Sequence, residues 1–247
     1  MVKIDLFCTG AYTEIGGLSS FLERTLAGDG AAVEVSRRFP AVTKPGPRID
    51  AAAPAARHSG VTGPALVQWM TEILGAYGTE ADLIVLADDA DCRWCPDHAA
   101  WVRWQAEVQH AVEAAVGRRI QVVTLLASPE VEAWFVADWT RGFQSLMRDR
   151  VGDIHAATKN VIGVAPPAGV EEFGCPQVNG ACSTKLSDAL TAALAAREIR
   201  YSKRVDGPVM LRSLAADRVA EHCPIYFRRA LADLRDCVRG RAPQSGG

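Results

Sequence analysis

The sequence has little of what membrane proteins and three large enzyme classes contain. A membrane helix needs about 18 to 20 successive apolar residues, and the longest notable apolar run here covers residues 83–87. The patterns Gly-x-x-x-x-Gly-Lys-Ser/Thr, Gly-x-Gly-x-x-Gly and Gly-x-Ser-x-Gly are all missing. A P-loop ATPase, a Rossmann-type dinucleotide enzyme and a serine hydrolase therefore receive no support from the sequence.

The amino terminus lacks the long apolar stretch and the small-residue cleavage site of a secretory leader. It carries an acid at Asp5 and is interpreted as a first strand. We therefore expect a soluble, cytoplasmic protein whose seven cysteines are reduced thiols.

The 247 residues are 49% hydrophobic, which is enough for a globular core. Their small net charge of −2 conceals two regions of opposite charge. Residues 80–100 hold six acids against one base, and residues 197–241 hold eleven bases against six acids. Acids can bind a metal ion and bases can bind phosphate, so a polyanion such as nucleic acid would use both regions. The alternative is an ordinary solvated basic face on the terminal helices.

Alternating strand and helix patterns predict an α/β fold with a mostly parallel sheet, helices on both faces and a helical C-terminal extension. The predicted strands cover residues 2–8, 31–37, 83–87 and 120–126. The predicted helices cover residues 15–26, 66–77 and 97–116. A further helix is expected to begin at Ser128 and Pro129, because serine is a favourable N-cap and proline a favourable first helical residue. We assign residues 1–150 to the α/β core, which includes a surface loop at residues 40–60. Residues 151–241 are expected to form an irregular segment (151–183) followed by helices that pack on the core. Residues 242–247 are expected to be a disordered tail.

Three acids, Asp88, Asp89 and Asp91, directly follow the most apolar predicted strand. Ligands of open α/β sheets bind beyond the carboxyl ends of the strands, and carboxylates this close together favour a shared proton or a bound hard cation such as Mg²⁺. The sequence therefore predicts a metal site here. A solvated acidic turn, or an Asp that caps the next helix, would give the same pattern.

Three stretches together resemble a known family. They are Thr-Gly-Ala-Tyr-Thr-Glu at 9–14, Asp-Ala-Asp at 89–91 and, third, Pro-Glu-Val-Glu-Ala-Trp at 129–134 with Tyr-Ser-Lys-Arg at 201–204, Gly207-Pro208 and Cys223-Pro224. Their order resembles the Toprim domain of topoisomerases, primases and overcoming-lysogenization-defect nucleases. It is more similar to a small Toprim-like family that is often encoded beside AAA-type ATPases in bacterial defence loci.

The resemblance implies a Toprim-like fold and a nuclease that depends on Mg²⁺ or Mn²⁺ and acts in antiviral defence with an AAA-type ATPase partner. The site residues that it implies are Glu14, Asp89, Asp91 and Lys203 for catalysis and Asp88, Asp89, Asp91 and Glu132 for the metal. The metal would polarise the phosphoryl oxygen and activate a water molecule, and Lys203 would stabilise charge on the scissile phosphate.

The sequence departs from the family pattern at Thr9, where the family has a glutamate. Threonine cannot ionise near neutral pH, so either Glu14 partly replaces that acid or the chain is a catalytically degenerate binding or regulatory subunit. Glu14 and Glu132 also fit a second interpretation as carboxylates that favour a helix N-terminus. Trp134 fits core packing as well as base stacking.

Cys92 and Cys95 have the spacing of a zinc-binding turn, and Cys175 and Cys182 would complete four thiolates. The six residues between the second pair are more than usual for a structural zinc site, and His98 is an equally available ligand. Redox chemistry of the pair and unligated thiols are the other interpretations.

Overall fold

Four parallel strands form the centre of the part of the chain that is described, which comprises residues 1–9, 12–39, 61–95, 97–176 and 182–240 of a computed structural model. The strands are β1 (Val2–Cys8), β2 (Val33–Phe39), β3 (Leu83–Asp89) and β4 (Gln121–Ala127), and they lie side by side in the order β2-β1-β3-β4. The predicted α/β class with a parallel sheet is confirmed.

Helices connect and extend these strands. They are α1 (Tyr12–Gly28), α2 (Gly63–Tyr77), α3 (His98–Val116), α4 (Glu132–Ala137), α5 (Val151–Ile162), α6 (Leu186–Ala195), α7 (Asp206–Ser213), α8 (Ala216–His222) and α9 (Phe227–Arg239), with short 3₁₀ turns at Phe143–Ser145 and Arg148–Arg150. None of the helices within the described residues combines the length and the apolar character that a membrane crossing requires.

Buried apolar clusters cover both faces of the sheet. Successive side chains of a strand point to opposite faces, so one strand contributes to both clusters. In β1, Ile4 and Leu6 belong to a large apolar cluster that includes α1 and the C-terminal helices. Phe7, the residue after Leu6, belongs to a second cluster with Met70 of α2 and Val108 of α3. Burial on both faces explains why β3 is an almost continuous apolar run.

The amino-terminal strand and the last helix share one hydrophobic core. A single cluster of buried side chains extends from Val2 in β1 to Val238 in α9. Buried side chains of the C-terminal helical region therefore belong to the same core as the sheet.

Two expectations about local structure were wrong. Ser128 does not cap a helix, because its Oγ donates to the carbonyl of Glu171 at 2.6 Å and α4 begins only at Glu132. The segment 151–183 is not irregular throughout, since α5 occupies Val151–Ile162 and buries Ile154 and Ala157. The expected loop 40–60 and the tail 242–247 lie outside the described residues.

Helices α1 and α7 approach each other closely through two glycines. A Cβ added at Gly17 would lie 2.8 Å from Leu211 Cβ and 3.0 Å from the carbonyl oxygen of Pro208, and a Cβ added at Gly16 would lie 2.8 Å from Pro208 Cβ. The absence of side chains at these positions is therefore what lets α7, and the loop that precedes it, lie against the start of α1.

We predict that Gly17→Ala destabilises the protein by about 1–3 kcal/mol, because the added methyl group overpacks the contact with α7. Urea unfolding followed by circular dichroism measures the change. The matched control is Gly28→Ala, at the end of the same helix, where an added Cβ meets nothing within 4 Å. Equal stability of the two variants would show that α1 and α7 are not held this closely.

Candidate active site

The candidate site lies where the strand order reverses. The chain leaves β1 toward β2 on one side, whereas β3 and β4 lie on the other side. Cys8 in β1 is level with Ala87 in β3, so Thr9 and Asp88 follow at the same carboxyl edge. This is the position at which open α/β sheets bind their ligands.

Carboxylates from three parts of the chain converge at this edge. Glu14 lies in the first turn of α1, Asp89 ends β3, and Glu130 and Glu132 follow β4. Glu132 is 0% exposed, Glu130 4% and Glu14 6%. A small cavity between the elements is lined by Glu14, Asp88 and Asp89 together with apolar side chains of α1, β3 and β4. We call Glu14, Asp89, Glu130 and Glu132 the acidic cluster.

Lys203 and Tyr201 contact the acidic cluster from the loop before α7. The Lys203 Nζ lies 3.3 Å from Glu132 Oε1 and 3.7 Å from Glu130 Oε1. Tyr201 donates its hydroxyl proton to Glu132 Oε1 at 2.9 Å. The loop is fixed to α1 because Thr13 Oγ1 donates to the carbonyl of Lys203 at 3.0 Å. Lys203, which lies 190 positions after Thr13 in the sequence, and its neighbour Tyr201 therefore complete the site around the acidic cluster.

Several carboxylate oxygens at the site are buried without a hydrogen-bond partner. They are Glu14 Oε2, Asp88 Oδ1 and Glu132 Oε2. A buried acceptor without a partner costs about 1–3 kcal/mol, and a bound cation would remove this cost. Among the described residues, however, the one trio of acid, His or Cys ligand atoms within 4.8 Å of one another is Cys95, His98 and Glu172. A cation at the acidic cluster would therefore need side-chain movement or water ligands, and Mg²⁺ usually keeps several waters.

Burial raises the pKa values of Glu14, Asp89 and Glu132. Loss of hydration raises the pKa of Glu14 to about 7, and the negative charge of Glu132 adds to the effect, while Lys203 opposes it. Burial, followed by repulsion from Glu14 and Glu132, raises the pKa of Asp89 well above its ordinary value. Burial raises the pKa of Glu132 despite the nearby ammonium group of Lys203. The cluster therefore favours protons, or a cation in their place.

The ammonium group of Lys203 remains charged. Burial lowers its pKa, but attraction to Glu132, Glu130 and Asp89 outweighs burial and raises the pKa above the ordinary value. The side chain is 42% exposed, so the same charge can also face an incoming ligand.

Asp88 and Asp91 lie beside the acidic cluster with different surroundings. Asp88 Oδ2 accepts from the Gly63 amide at 2.8 Å and from Arg93 at 2.5 Å, which leaves Oδ1 for the cavity. Asp91 is partly exposed, with a left-handed φ of 46°. Burial raises its pKa, whereas Lys185 and Arg93 lower it. One oxygen of Asp88 therefore holds the start of α2, and Asp91 lies at the solvent-exposed rim of the candidate site.

Other residues from the resembling stretches have mixed surroundings. Thr9 is 1% exposed at the end of β1. Trp134 packs in the core, with its ring 4.8 Å from that of Phe227, so it is not placed for base stacking. Arg204 is exposed. Gly10 and Ala11 lie outside the described residues.

Glu130 and Tyr201 are the site residues that sequence reasoning missed. Both stand inside stretches that carried the family resemblance, at 129–134 and 201–204, and this was the available signal. Glu130 Oε2 also accepts from the amide of Ser187 at 2.8 Å, at the start of α6. Its partner is 57 residues away and could not be inferred from local spacing.

Two arginines of the basic C-terminal region tie helices together. Arg235 contacts Asp29 at 2.6 Å and Asp217 at 2.7 Å. Arg228 donates to the carbonyl groups of Ala220 and Glu221. Most of the other described bases between residues 197 and 240 are exposed, so the region combines structural ion pairs with a solvated basic face.

Four cysteines are bonded, in contrast to the reduced thiols that we expected. The structure joins Cys92 to Cys182 and Cys95 to Cys175. The expectation counted all seven cysteines together, whereas the fold brings these four to one place and leaves Cys8, Cys223 and Cys237 outside the disulfides.

Comparison of the chain with protein-family models, with curated proteins and with solved structures gave no match. The similarity to Toprim-like proteins therefore stays a hypothesis carried by the residues quoted above.

We predict that the metal-free protein loses stability as pH rises from about 5 to 7. The folded chain holds the Glu14 proton up to a pKa of about 7, whereas the unfolded chain releases it near 4.5. Between these values the folded state binds more protons, so the free energy of unfolding falls with pH. At roughly 1.4 kcal/mol per pKa unit, Glu14 accounts for about 3 kcal/mol.

Glu14→Gln should reduce this fall and raise stability above pH 7, because the neutral amide has no charge to bury. Urea unfolding in EDTA at several pH values measures both effects. The control is Glu107→Gln, an exposed position on α3, which should keep the wild-type slope. If Glu14→Gln follows the same slope as the wild type, Glu14 is not buried as described.

Proposed function

We propose that the protein is a divalent-metal-dependent phosphodiesterase, most simply a nuclease, on a Toprim-like fold. The observation that carries the proposal is the acidic cluster, with its buried, unpartnered oxygens on Glu14 and Glu132, at the edge of the sheet where ligands bind. Hard cations prefer carboxylate oxygens, and a metal ion is a common way to hydrolyse a phosphodiester.

The proposed roles follow from the position of each side chain. Asp89 and Glu132 would hold Mg²⁺ or Mn²⁺. Glu14 and Glu130 would lie around the same ion, and Asp91 at the solvent-exposed rim of the site. The metal would polarise a phosphoryl oxygen and lower the pKa of a bound water. Without the metal, Glu14 has a pKa of about 7, which suits a group that accepts a proton near neutral pH.

Lys203 is the proposed phosphate-binding group. Its ammonium group stays charged and is 42% exposed at the edge of the acidic cluster. Lys185 is also exposed and interacts with Asp91 across the rim. A phosphodiester next to the metal would find positive charge on this side, which stabilises the charge that develops during cleavage.

The partners are proposed from the family resemblance. It supports nucleic acid as the substrate, an AAA-type ATPase as the partner protein, a role in antiviral defence and a cytoplasmic location. Purification of the tagged protein with its neighbouring gene products would test the ATPase assignment.

One observation favours a second candidate, a catalytically degenerate binding or regulatory subunit. The Lys203 Nζ lies between Glu130 and Glu132, where it already supplies the positive charge that a metal would bring. Thr9, at the end of β1, offers no carboxylate in the position where the resembling family has one. In this alternative the acidic cluster and Lys203 stabilise the fold and do no chemistry.

We predict that the wild type binds Mn²⁺ and cleaves DNA or RNA in its presence. Asp89→Asn and Glu132→Gln should each lower the cleavage rate by about 10²-fold or more, because each removes a charge that holds the metal. Calorimetry measures binding, and gel electrophoresis of plasmid DNA and of a structured RNA measures cleavage.

Glu107→Gln on the surface of α3 is the control and should behave as wild type. Thermal melting of each variant shows whether it folds. Folded wild-type protein that neither binds Mn²⁺ nor cleaves either nucleic acid would contradict the nuclease proposal and favour the binding subunit.

A further prediction concerns Thr9, which separates the two candidates. Thr9→Glu adds a carboxylate beside the end of β3, so metal-dependent cleavage should rise by about ten-fold or more, equivalent to roughly 1.4 kcal/mol of barrier. Without metal the same change should lower the melting temperature through like-charge repulsion. Thr9→Gln, of similar size and without charge, is the control.

Cleavage and melting are measured with and without Mn²⁺. If Thr9→Glu and Thr9→Gln behave alike under both conditions, position 9 does not share a metal with the acidic cluster.

A further inference from the structure

Four cysteines from two distant segments come together next to the candidate active site. Cys92 and Cys95 follow β3, and Cys175 and Cys182 lie between α5 and α6. The bonded pairs cross between the segments, with Cα–Cα distances of 5.2 Å for Cys92 and Cys182 and 5.8 Å for Cys95 and Cys175. We call these four residues the cysteine cluster.

Cys95 and Cys175 each close a tight turn. The Cys95 amide donates to the carbonyl of Cys92 at 3.0 Å, and the Cys175 amide donates to the carbonyl of Glu172 at 3.0 Å. The first turn is unusually sharp, because Asp91 and Cys92 both have positive φ values, 46° and 58°. A turn that brings two thiols at positions i and i+3 to one side is the backbone arrangement of thiolate metal sites.

The long gap in the second pair is closed by the backbone. Ser183 donates its amide to the carbonyl of Gly174 at 2.9 Å, so the residues next to Cys175 and Cys182 are hydrogen-bonded to each other. The six-residue spacing, which is loose for a zinc site when read from sequence alone, therefore does not keep the two ends of this segment apart. In the disulfide-bonded state no three of the four sulfurs lie within 4.8 Å of one another, so binding of a shared ion requires reduction and rotation of the cysteine side chains.

Further ligand atoms lie beside Cys95, at one side of the cysteine cluster. The Cys95 sulfur, a ring nitrogen of His98 and a carboxylate oxygen of Glu172 lie within 4.8 Å of one another. His98 Nε2 lies 3.1 Å from Glu172 Oε1, and His98 Nδ1 lies 2.6 Å from the Tyr226 hydroxyl oxygen. A pair of disulfides needs no such surroundings, whereas metal–thiolate sites are commonly surrounded by hydrogen-bonding groups of this kind.

We propose that, in the reduced chain, the cysteine cluster is a structural Zn²⁺ site with four thiolate ligands. Cys92 and Cys95 are each 3% exposed, and Cys175 and Cys182 are partly exposed, so the site would lie between the core and the surface. The ion would tie the loop after β3, which follows Asp89 and carries Asp91, to the segment before α6. This proposal does not depend on the nuclease activity.

Zinc binding and the two disulfides are alternative states of the same sulfurs. A phosphine reductant converts each disulfide to two thiols and takes up the oxygen of one water molecule, becoming the phosphine oxide. One Zn²⁺ then displaces four protons from the four thiols, so its affinity should fall at low pH.

The test uses the full chain purified in a phosphine reductant and dialysed against Zn²⁺ and then against buffer. Elemental analysis should find about one zinc ion per chain, and Cys92→Ser and Cys182→Ser should each lose it. Cys237→Ser, on α9 and outside both disulfides, is the matched control and should keep it. Cobalt in place of zinc should show the visible bands of tetrahedral coordination and sulfur-to-cobalt charge transfer.

Measurements on the wild type cover the case in which the serine variants do not fold. Titration with a mercurial reagent should release zinc, detected by a chromogenic chelator, as thiols are modified. Absence of zinc from the reduced wild type, or zinc that stays bound after all thiols have reacted, would overturn the proposal. His98→Ala should keep the ion, and loss of zinc in that variant would overturn the four-thiolate assignment.

Discussion

The ion pair between Lys203 and the buried Glu132 is the interaction on which the site depends. Glu132 is fully buried, and its Oε1 is reached by the Lys203 ammonium group at 3.3 Å and by the Tyr201 hydroxyl. The Lys203 side chain is 42% exposed, so solvent screens the pair, and it contributes less than the about 3–5 kcal/mol that is lost when one partner of a fully buried pair is removed. Lys203 nevertheless places a cation beside the buried carboxylate of Glu132. The loop before α7 therefore has to stay against the carboxyl edge of the sheet.

The packing of α1 against α7 keeps that loop in place. Gly16 and Gly17 allow Pro208 and Leu211 to approach the helix, and Thr13 binds the carbonyl of Lys203. Because Glu14 belongs to the same turn of α1 as Thr13, one helix positions both a carboxylate and the cation that partly neutralises it. Close packing and electrostatics are thus coupled at this point of the fold.

A second buried carboxylate organises the other side of the site. Glu171 accepts from the amides of Tyr226 and Phe227 at 3.0 and 3.3 Å, at the start of α9. Acids at a helix N-terminus are favourable because the free amides there carry partial positive charge. Burial nevertheless raises the pKa of Glu171. This contact holds the segment 169–176 over the loop after β3, where the cysteine cluster joins the two.

The sequence by itself determined the parallel α/β sheet, since apolar runs separated by amphipathic helices allow few other arrangements. It also located Asp89 at the end of a buried strand. Only the tertiary structure decided that Asp88 turns to Gly63 and Arg93, and that Glu130 and Tyr201 join the acidic cluster. Ser128 shows the reason. Its position before a proline predicted a helix cap, but its hydroxyl binds the carbonyl of Glu171, 43 residues away. Local patterns specify which hydrogen-bonding groups a segment offers, whereas the partners are chosen by contacts between segments that are distant in the chain.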